Sequence, residues 1–301
     1  MSQFSFTCLT DRAVIKVTGD EAEHFLQNLI TCDVAKINEM GAAFGALLTP
    51  QGKIQFDFFV VRTPDGYLLD APQAIAADLA KRLTFYKLRS KVEISLLDET
   101  NSVFASWGEL PPVDLEQLVV FEDPRLSTLG TRIIGNSDLI ERSLQKLNGD
   151  AVHKSQYTAH RIKLGVPESI SDFAFSDIFP HDADMEQLNG VSFTKGCYVG
   201  QEVVSRMQHR SSARKRMIQV NSNKPLAASG TDIMADGKSI GTLGSSAADG
   251  EQYRGVALVR LDKVAVAREK GATFSCGDAV IDLAIPNWAE FDWPSAQSAS
   301  E

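Results

Sequence analysis

The sequence lacks several patterns that define common classes of protein. Its four cysteines are scattered, and no two of them form a Cys-x-x-Cys pair, which excludes zinc ribbons and ferredoxin-like ligand sets, so we predict no metal ligands. No apolar run approaches the roughly 20 residues of a membrane span. The Gly-x-Ser-x-Gly, phosphate-loop, dinucleotide and His-Glu-x-x-His motifs are also missing. Nothing therefore favours a hydrolase, a kinase, an NAD-dependent enzyme or a zinc protease.

Basic residues are outnumbered by acidic ones. The 301 residues include 30 Lys and Arg against 39 Asp and Glu, for a formal net charge of −9. Nucleic acid and anionic membranes require a surplus of positive charge, so we expect neither as a partner. The basic run from Arg206 to Arg216 is a local exception. It is open to interpretation as a solvated helix and loop or as a site for an acidic ligand or partner, and a nucleic-acid site is the least favoured interpretation.

The first ten residues contain neither a basic segment followed by a long apolar stretch nor an Arg-rich amphipathic pattern. A secretory signal and a transit peptide are therefore not expected. Unpaired cysteines suit a reducing compartment. We expect the bacterial cytoplasm, with a mature organellar protein as the alternative.

Apolar periodicity predicts a mixed α+β organisation before residue 210 and a different one after it. The apolar runs 42–48 and 54–61 flank a Pro/Gly turn and predict a β-hairpin. Beyond residue 216, glycines recur between short apolar stretches, which is typical of a small all-β barrel. We predict four regions: an N-terminal α+β region (1–100), a middle α+β region (101–210), a C-terminal β-barrel (211–285) and a flexible tail (286–301).

The densest group of chemically useful residues lies between 195 and 202. Lys195 precedes Cys197 by two positions, and a nearby cation favours the reactive thiolate. Gly196 and Gly200 allow the backbone to approach a ligand closely, and Gln201 adds an amide. From composition alone, the alternative is a tight loop that leads into a helix, with Cys197 buried as an inert side chain.

Residues 195–202, Lys-Gly-Cys-Tyr-Val-Gly-Gln-Glu, resemble the signature of the YgfZ family, folate-binding proteins that support iron–sulfur cluster assembly or repair. Further similarity spans about residues 10 to 260, including the hairpin 45–53, and weakens between 100 and 150. The family is similar in fold to the T-protein of the glycine cleavage system, an aminomethyltransferase. The resemblance implies an α+β fold of three domains in a ring around a central folate channel, ending in the small β-barrel.

The resemblance also implies tetrahydrofolate, or a one-carbon derivative, as cofactor. Tyr157 matches an aromatic position of the folate pocket, and an aromatic face stacks well on a pterin ring. Asp182 lies where T-proteins place a Glu that binds the pterin ring, although Asp is shorter. Tyr198, Glu202 and Arg206 complete the expected cofactor contacts. The alternatives are a helix-face core residue for Tyr157 and a solvated loop acid for Asp182.

Asp57 bears on whether the chain is an enzyme. T-proteins have two acids in this strand, one of them catalytic for aminomethyl transfer. Here Phe56 takes the place of the first acid and only Asp57 remains, which argues against aminomethyltransferase activity. We count Asp57 among the folate contacts, with an acid on the surface of a strand edge as the alternative.

These inferences predict a tetrahydrofolate-binding accessory factor that acts through Cys197, assisted by Lys195. One alternative is a folate-dependent aminomethyl or methyl transferase with Asp57 as acid or base. Another is an interaction module in which folate is only a structural ligand. The expected partners are iron–sulfur assembly proteins or their client enzymes, and we expect a monomer.

Overall fold

A computed structural model describes residues 4–98, 100–111, 117–210 and 214–294, with only the backbone described at 38–40 and 210. The helices are α1 (Ala22–Gln27), α2 (Val34–Met40), α3 (Gln73–Lys87), α4 (Ser137–Lys146), α5 (Lys154–Lys163), α6 (Gln201–Arg210) and α7 (Leu261–Glu269). The strands are β1 (Phe4–Cys8), β2 (Arg12–Thr18), β3 (Ala42–Leu48), β4 (Ile54–Thr63), β5 (Gly66–Pro72), β6 (Glu93–Leu96), β7 (Asn101–Gly108), β8 (Val119–Glu122), β9 (Thr131–Asn136), β10 (Asp150–Ala151), β11 (Lys215–Ser222), β12 (Asp232–Ala235), β13 (Lys238–Asp249), β14 (Gln252–Arg260), β15 (Phe274–Cys276) and β16 (Ala279–Ala284). The predicted α+β class is confirmed. Over the described residues, no helix is long and apolar enough to cross a membrane.

The chain divides into two compact units, each built from separate stretches of sequence. The first unit consists of Met1–Pro50, Gln55–Tyr157 and Leu188–Gln201. The second unit consists of Gln51–Ile54, Thr158–Gln187 and Glu202–Glu301. Each of the four predicted regions is one continuous stretch of sequence, whereas both units are discontinuous. The predicted region boundaries therefore stay a prediction.

One sheet of the first unit has the strand order β3-β4-β5-β2-β6. β2 and β5 are antiparallel, with Ile15 opposite Leu69. β3 and β4 are neighbours in the sheet, and Gly52 between them has a φ of +81° that glycine adopts without steric cost. The predicted hairpin is therefore confirmed. Leu26 of α1, Ile37 of α2 and Leu79 of α3 are fully buried in the same apolar core, whose burial stabilises the sheet.

The other sheet of the first unit has the order β10-β1-β7-β9-β8. Phe6 of β1 and Phe104 of β7 form its core together with Ile140 and Leu144 of α4. The two α4 residues are four positions apart and so lie on one face of the helix. The side chain of Asn136 accepts a hydrogen bond from the backbone N–H of Leu139 and so caps the start of α4.

The second unit contains a closed barrel of the strands β11-β14-β13-β12-β15-β16. This confirms the predicted C-terminal β-barrel. At one of the recurring glycines, Gly241, the structure leaves no room for a side chain. An added Cβ would lie 2.4 Å from the carbonyl oxygen of Leu258 on the neighbouring strand. Helix α7 interrupts the strands between β14 and β15 and was not predicted from the sequence.

Part of the segment predicted as a flexible tail makes defined contacts within the second unit. The indole Nε1 of Trp288 donates to the carbonyl oxygen of Leu164 at 2.7 Å. Phe291 and Trp293 pack against the barrel core, and the guanidinium of Arg268 lies 4.0 Å from the centre of the Trp293 ring. Residues 295–301 lie outside the described residues.

Candidate functional site

The segment 190–200 of the first unit is an irregular loop that hydrogen bonds fix to the chain that follows α1. The buried Thr31 side chain donates its hydroxyl to the carbonyl oxygen of Gly190 at 2.6 Å and accepts from the N–H of Ala46 at 2.8 Å. The backbone N–H of Ser192 donates to the carbonyl oxygen of Thr31 at 2.9 Å. The start of the motif is therefore held in place by residues about 160 positions earlier in the chain.

Lys195 ties the motif to the same place. Its side-chain Nζ donates to the carbonyl oxygens of Ile30, at 2.7 Å, and Cys32, at 2.8 Å. The residue is only 8% exposed, and this burial lowers the pKa of its ammonium to about 8. The structure thus assigns Lys195 two backbone acceptors. Its predicted assistance to Cys197 stays a prediction.

Cys197 and its neighbour Gly196 are exposed. This excludes the alternative in which Cys197 is a buried, inert side chain. An added Cβ on Gly196 would have no atom within 4 Å, whereas Gly200 has a φ of +81° that favours glycine. The backbone therefore requires glycine at position 200 but not at position 196.

The thiol near the Lys195 charge is that of Cys32. Burial raises the pKa of the Cys32 thiol to about 12, and the positive charge of Lys195 opposes this rise. A thiol with so high a pKa stays protonated at neutral pH and is a poor nucleophile. Cys32 therefore has the properties of a packing residue.

Tyr198, which directly follows the exposed Cys197 in the sequence, is buried. Nζ of Lys195 lies 5.3 Å from the centre of its ring, within the range of a cation–π contact. Burial raises the pKa of the Tyr198 phenol to about 12. Its hydroxyl is buried, and no partner for it is found in the described part of the chain. An unsatisfied buried hydroxyl of this kind is unusual in a folded protein.

Gln201, Glu202 and Arg206 lie on α6. The N–H of Gln201 donates to the carbonyl oxygen of Tyr198 at 3.3 Å, which leads the loop into the helix. Glu202 and Arg206 form an exposed i,i+4 ion pair at 2.8 Å, an arrangement that stabilises helices slightly. Their predicted contact with folate stays a prediction.

The three remaining predicted residues are all buried. Tyr157 of α5 belongs to the first unit, and its ring centre lies 5.5 Å from that of Trp107. Asp57 of β4 is 8% exposed, so its interpretation as a surface acid is wrong. Asp182 of the second unit is 7% exposed, so it is not a solvated loop acid. Its Oδ2 accepts from the N–H of Phe179 at 3.0 Å, and burial raises the pKa of its carboxyl.

The first unit also contains a buried cluster of charged residues that the sequence analysis missed. The side chains of Asp70 and Asp123 accept hydrogen bonds from three arginines. Arg12 donates to Asp70 at 2.6 Å, and Arg125 donates to Asp123 at 2.8 and 3.0 Å. Arg132 donates to both carboxylates, to Asp70 at 2.7 Å and to Asp123 at 3.2 Å. All five are less than 10% exposed at the side chain. Within this cluster three positively charged side chains face two negatively charged ones. The nearby arginines keep the pKa of the Asp123 carboxyl below its usual value despite burial.

This charged cluster borders a cavity of about 760 Å³ in the first unit, a volume within the usual range of small-molecule sites. Its lining includes Asp123 and Arg125 of the cluster and Val191, Ser192 and Phe193 of the loop 190–200. None of the residues predicted to contact folate is among the described residues that line it. No sequence signal could have found this cavity, because its walls come from three distant stretches of the chain, 32–43, 122–127 and 189–194.

Comparison with known proteins identifies the relatives of the chain. Residues 214–291 match the family described as CAF17, C-terminal beta-barrel domain. The chain is 32% identical over 233 residues to a Neurospora crassa protein named iron–sulfur cluster assembly factor IBA57 homolog, mitochondrial. The aligned region covers 70% of this chain and 52% of that protein. It is 28% identical to the Mus musculus IBA57 over 97% of this chain and 87% of that protein, and 26% identical to the Homo sapiens IBA57 over 95% and 85%.

The homologues of this chain are IBA57 iron–sulfur cluster assembly factors. The chain spans about half the length of the Neurospora relative. All three names include the word mitochondrial. The expectation of a bacterial cytoplasmic location is therefore corrected, because these relatives point to mitochondria.

The fold is that of the glycine cleavage T-protein. A crystal structure of aminomethyltransferase T from Bartonella henselae superposes with a TM-score of 0.77, covering 97% of this chain and 88% of that one at 16% sequence identity. This confirms the predicted T-protein-like fold. At this identity the likeness concerns the fold alone.

Proposed function

We propose that this chain is an accessory factor in the assembly or repair of iron–sulfur proteins, that it binds tetrahydrofolate or a one-carbon derivative, and that it acts through the thiol of Cys197. The names of the relatives support the first part. The motif 195–202 supports placing the chain with the YgfZ family. The partners in this proposal are iron–sulfur assembly proteins or client enzymes.

The exposure of Cys197 is the observation on which the proposed thiol step depends. Cys32 and Cys276 are buried and Cys8 is half-buried, whereas Cys197 is exposed. A thiol must be accessible before it can bond to a cluster or to a sulfur atom of another protein. Cys197 is thus the thiol that a second protein can approach most readily.

The loop on both sides of Cys197 is fixed. Lys195 is held by the carbonyl oxygens of Ile30 and Cys32, and the Tyr198 side chain is buried. A reactive group on a fixed backbone loses little conformational entropy when its partner binds. We therefore assign Lys195 the role of a positioning residue, which holds the loop that presents Cys197.

The residues proposed to hold tetrahydrofolate fit it to different degrees. Asp57 and Tyr157 are buried polar side chains of the first unit, and a carboxylate accepts N–H bonds of the kind that an aminopyrimidine ring donates. Asp182 fits less well, because one oxygen of its carboxyl group already accepts from Phe179. When bound, tetrahydrofolate would supply a one-carbon carrier.

Complementation tests the thiol step. Cells that lack their own copy of the gene receive the wild type, Cys197→Ser or the matched control Cys8→Ser, and the activities of iron–sulfur enzymes are measured. We expect Cys8→Ser to restore activity fully and Cys197→Ser to lose most of it, with equal amounts of folded protein. Full restoration by Cys197→Ser would refute the thiol step.

Calorimetry with tetrahydrofolate tests the cofactor separately. We expect one bound molecule per chain and at least tenfold weaker binding by Asp57→Asn and Tyr157→Leu. The exposed-acid variant Asp278→Asn should bind like the wild type. If the wild type does not bind tetrahydrofolate, the cofactor assignment is wrong while the thiol step can still hold.

Folate-dependent aminomethyl or methyl transfer is the second candidate, favoured by the burial of Asp57 on a T-protein-like fold. In that case Asp57 is the acid or base. Turnover of an aminomethylated carrier protein that disappears in Asp57→Asn and persists in Cys197→Ser would favour this candidate over the first.

A further inference from the structure

The end of α3 and the turn that follows expose two large apolar side chains. Phe85 is 69% exposed and Leu88 is 86% exposed. The opposite face of α3 is occupied by the buried residues Ala76, Leu79 and Leu83, so neither exposed side chain is needed for the core of the first unit. Phe85 lies in the last turn of α3, and Leu88 is the first residue after the helix.

Leu88 also has an unfavourable backbone. Its φ is 46° and its ψ is −104°, close to the first central position of a type II′ turn, where glycine is the preferred residue. A leucine there costs free energy through backbone strain and again through its exposed side chain. Because folding gains from neither, the residue is explained better by binding than by stability.

The surface around these two side chains is basic. Residues 79–92 contain five positively charged side chains and no acidic one, in a chain of net charge −9: Lys81, Arg82, Lys87, Arg89 and Lys91. In the part of the chain that the structure describes, none of the five forms an ion pair. A local excess of unpaired positive charge attracts an acidic surface and speeds its association.

An open cleft of about 640 Å³ lies beside Leu88, lined by Glu21, Leu88, Arg89 and Ser90. Glu21 is its acidic residue, and the carboxylate accepts from the N–H of Lys91 at 2.5 Å. Apolar side chains, a recess and a charged rim are the parts of a protein–protein interface. Neither a lipid surface nor a nucleic acid offers an apolar side chain that could fill a recess.

We propose that the end of α3, with Phe85, Leu88 and the five basic residues, is a docking surface for an acidic partner protein that inserts an apolar side chain beside Leu88. The proposal stands without the folate and thiol steps assigned above. It predicts that binding requires both the apolar and the charged component.

Defined probes test the proposal. Three helical peptides of equal length are added to the whole protein: one of Glu and Leu, one of Lys and Leu, and one of Glu and Ser. Vesicles containing phosphatidylglycerol and a mixed-sequence RNA are the other probes. Binding is followed by the NMR signals of leucine methyl groups, with that of Leu88 assigned from its loss in Leu88→Gly.

We expect the Glu/Leu peptide to shift the Leu88 signal and to bind at least tenfold more tightly than the other two peptides. Phe85→Ser and Leu88→Gly should each weaken that binding about tenfold, whereas Val280→Ser, which changes a 64% exposed residue of the barrel, should not. Leu88→Gly should keep or raise the melting temperature, which separates a binding role from a structural one.

Several results would overturn the proposal. The first is that the Glu/Leu peptide does not bind, or that the Lys/Leu or Glu/Ser peptide binds equally well. The second is that Phe85→Ser and Leu88→Gly both bind the Glu/Leu peptide as tightly as the wild type does. The third is that the vesicles or the RNA bind more tightly than the Glu/Leu peptide. A lower melting temperature of Leu88→Gly would instead assign Leu88 to stability and would also count against it.

Discussion

The Nζ atom of Lys195 lies 2.8 Å from the carbonyl oxygen of Cys32, a residue 163 positions earlier in the chain. The same atom donates to the carbonyl oxygen of Ile30. One side chain thus fixes the loop of Cys197 to the chain that follows α1. Lys195 has a structural role that its position two residues before Cys197 did not indicate.

Lys195→Met should destabilise the protein by about 1–3 kcal/mol, because two buried carbonyl oxygens lose a charged donor. Urea unfolding at pH 7 measures the change. The exposed Lys238 supplies the control, and Lys238→Met should stay within about 0.5 kcal/mol of the wild type. Equal effects of the two substitutions would contradict the assigned contacts.

The stability that depends on Lys195 should increase with pH. The pKa of its ammonium falls from 10.5 in the unfolded chain to about 8 in the folded one. Between these values the unfolded state binds a proton that the folded state has released, so the free energy of unfolding increases with pH. Below pH 8 both states are protonated and the slope vanishes.

The measurement compares unfolding of the wild type and Lys195→Met at pH 7, 8, 9 and 10. We expect the wild type to gain stability relative to the variant from pH 8 upward, since groups common to both proteins cancel. A difference that stays flat or declines over this range would show that the folded-state pKa is not lowered.

The two glycines of the motif should respond differently to alanine. Gly200→Ala should cost about 1–2 kcal/mol, because its φ of +81° disfavours any side chain. Gly196→Ala should change stability by less than about 0.5 kcal/mol, because the added methyl group meets no atom within 4 Å. Thermal or urea unfolding of both variants tests this order, and the reverse order would contradict the loop conformation.

Asp123→Asn should destabilise the protein by about 3–5 kcal/mol, because Arg125 and Arg132 would remain buried with one carboxylate fewer. The matched control is Asp138→Asn, whose carboxylate forms an exposed pair with Arg142 at 3.8 Å. Exposed pairs contribute little, so this variant should lose less than about 1 kcal/mol. A small effect of Asp123→Asn would mean that the cluster is solvated.

Local sequence patterns predicted the elements that depend on neighbouring residues. The hairpin of β3 and β4 follows from two apolar runs and a turn with glycine, and the barrel follows from glycines between short strands. Helix α7 was missed because a short helix within a β-rich region has no pattern strong enough to distinguish it from its surroundings.

The candidate site was only partly predictable. The motif identified Cys197 as a residue of interest, and the structure shows that it is exposed. The acceptors of Lys195 and the partner Asp70 of Arg132 lie more than 60 positions away, and no local pattern specifies them. Residue type does not predict the buried cluster either, because Arg and Asp are usually exposed.

The discontinuity of the first unit has a consequence during synthesis on the ribosome. The hydrogen bond from Thr31 to Gly190 and those from Lys195 to Ile30 and Cys32 can form only after residues 188–201 have left the exit tunnel, when most of the chain has already been made. Until then the hydroxyl of Thr31 lacks its acceptor Gly190, and the carbonyl oxygens of Ile30 and Cys32 lack their donor. The nascent first unit therefore passes through a long incomplete stage, in which chaperones can bind it before the cysteine loop closes.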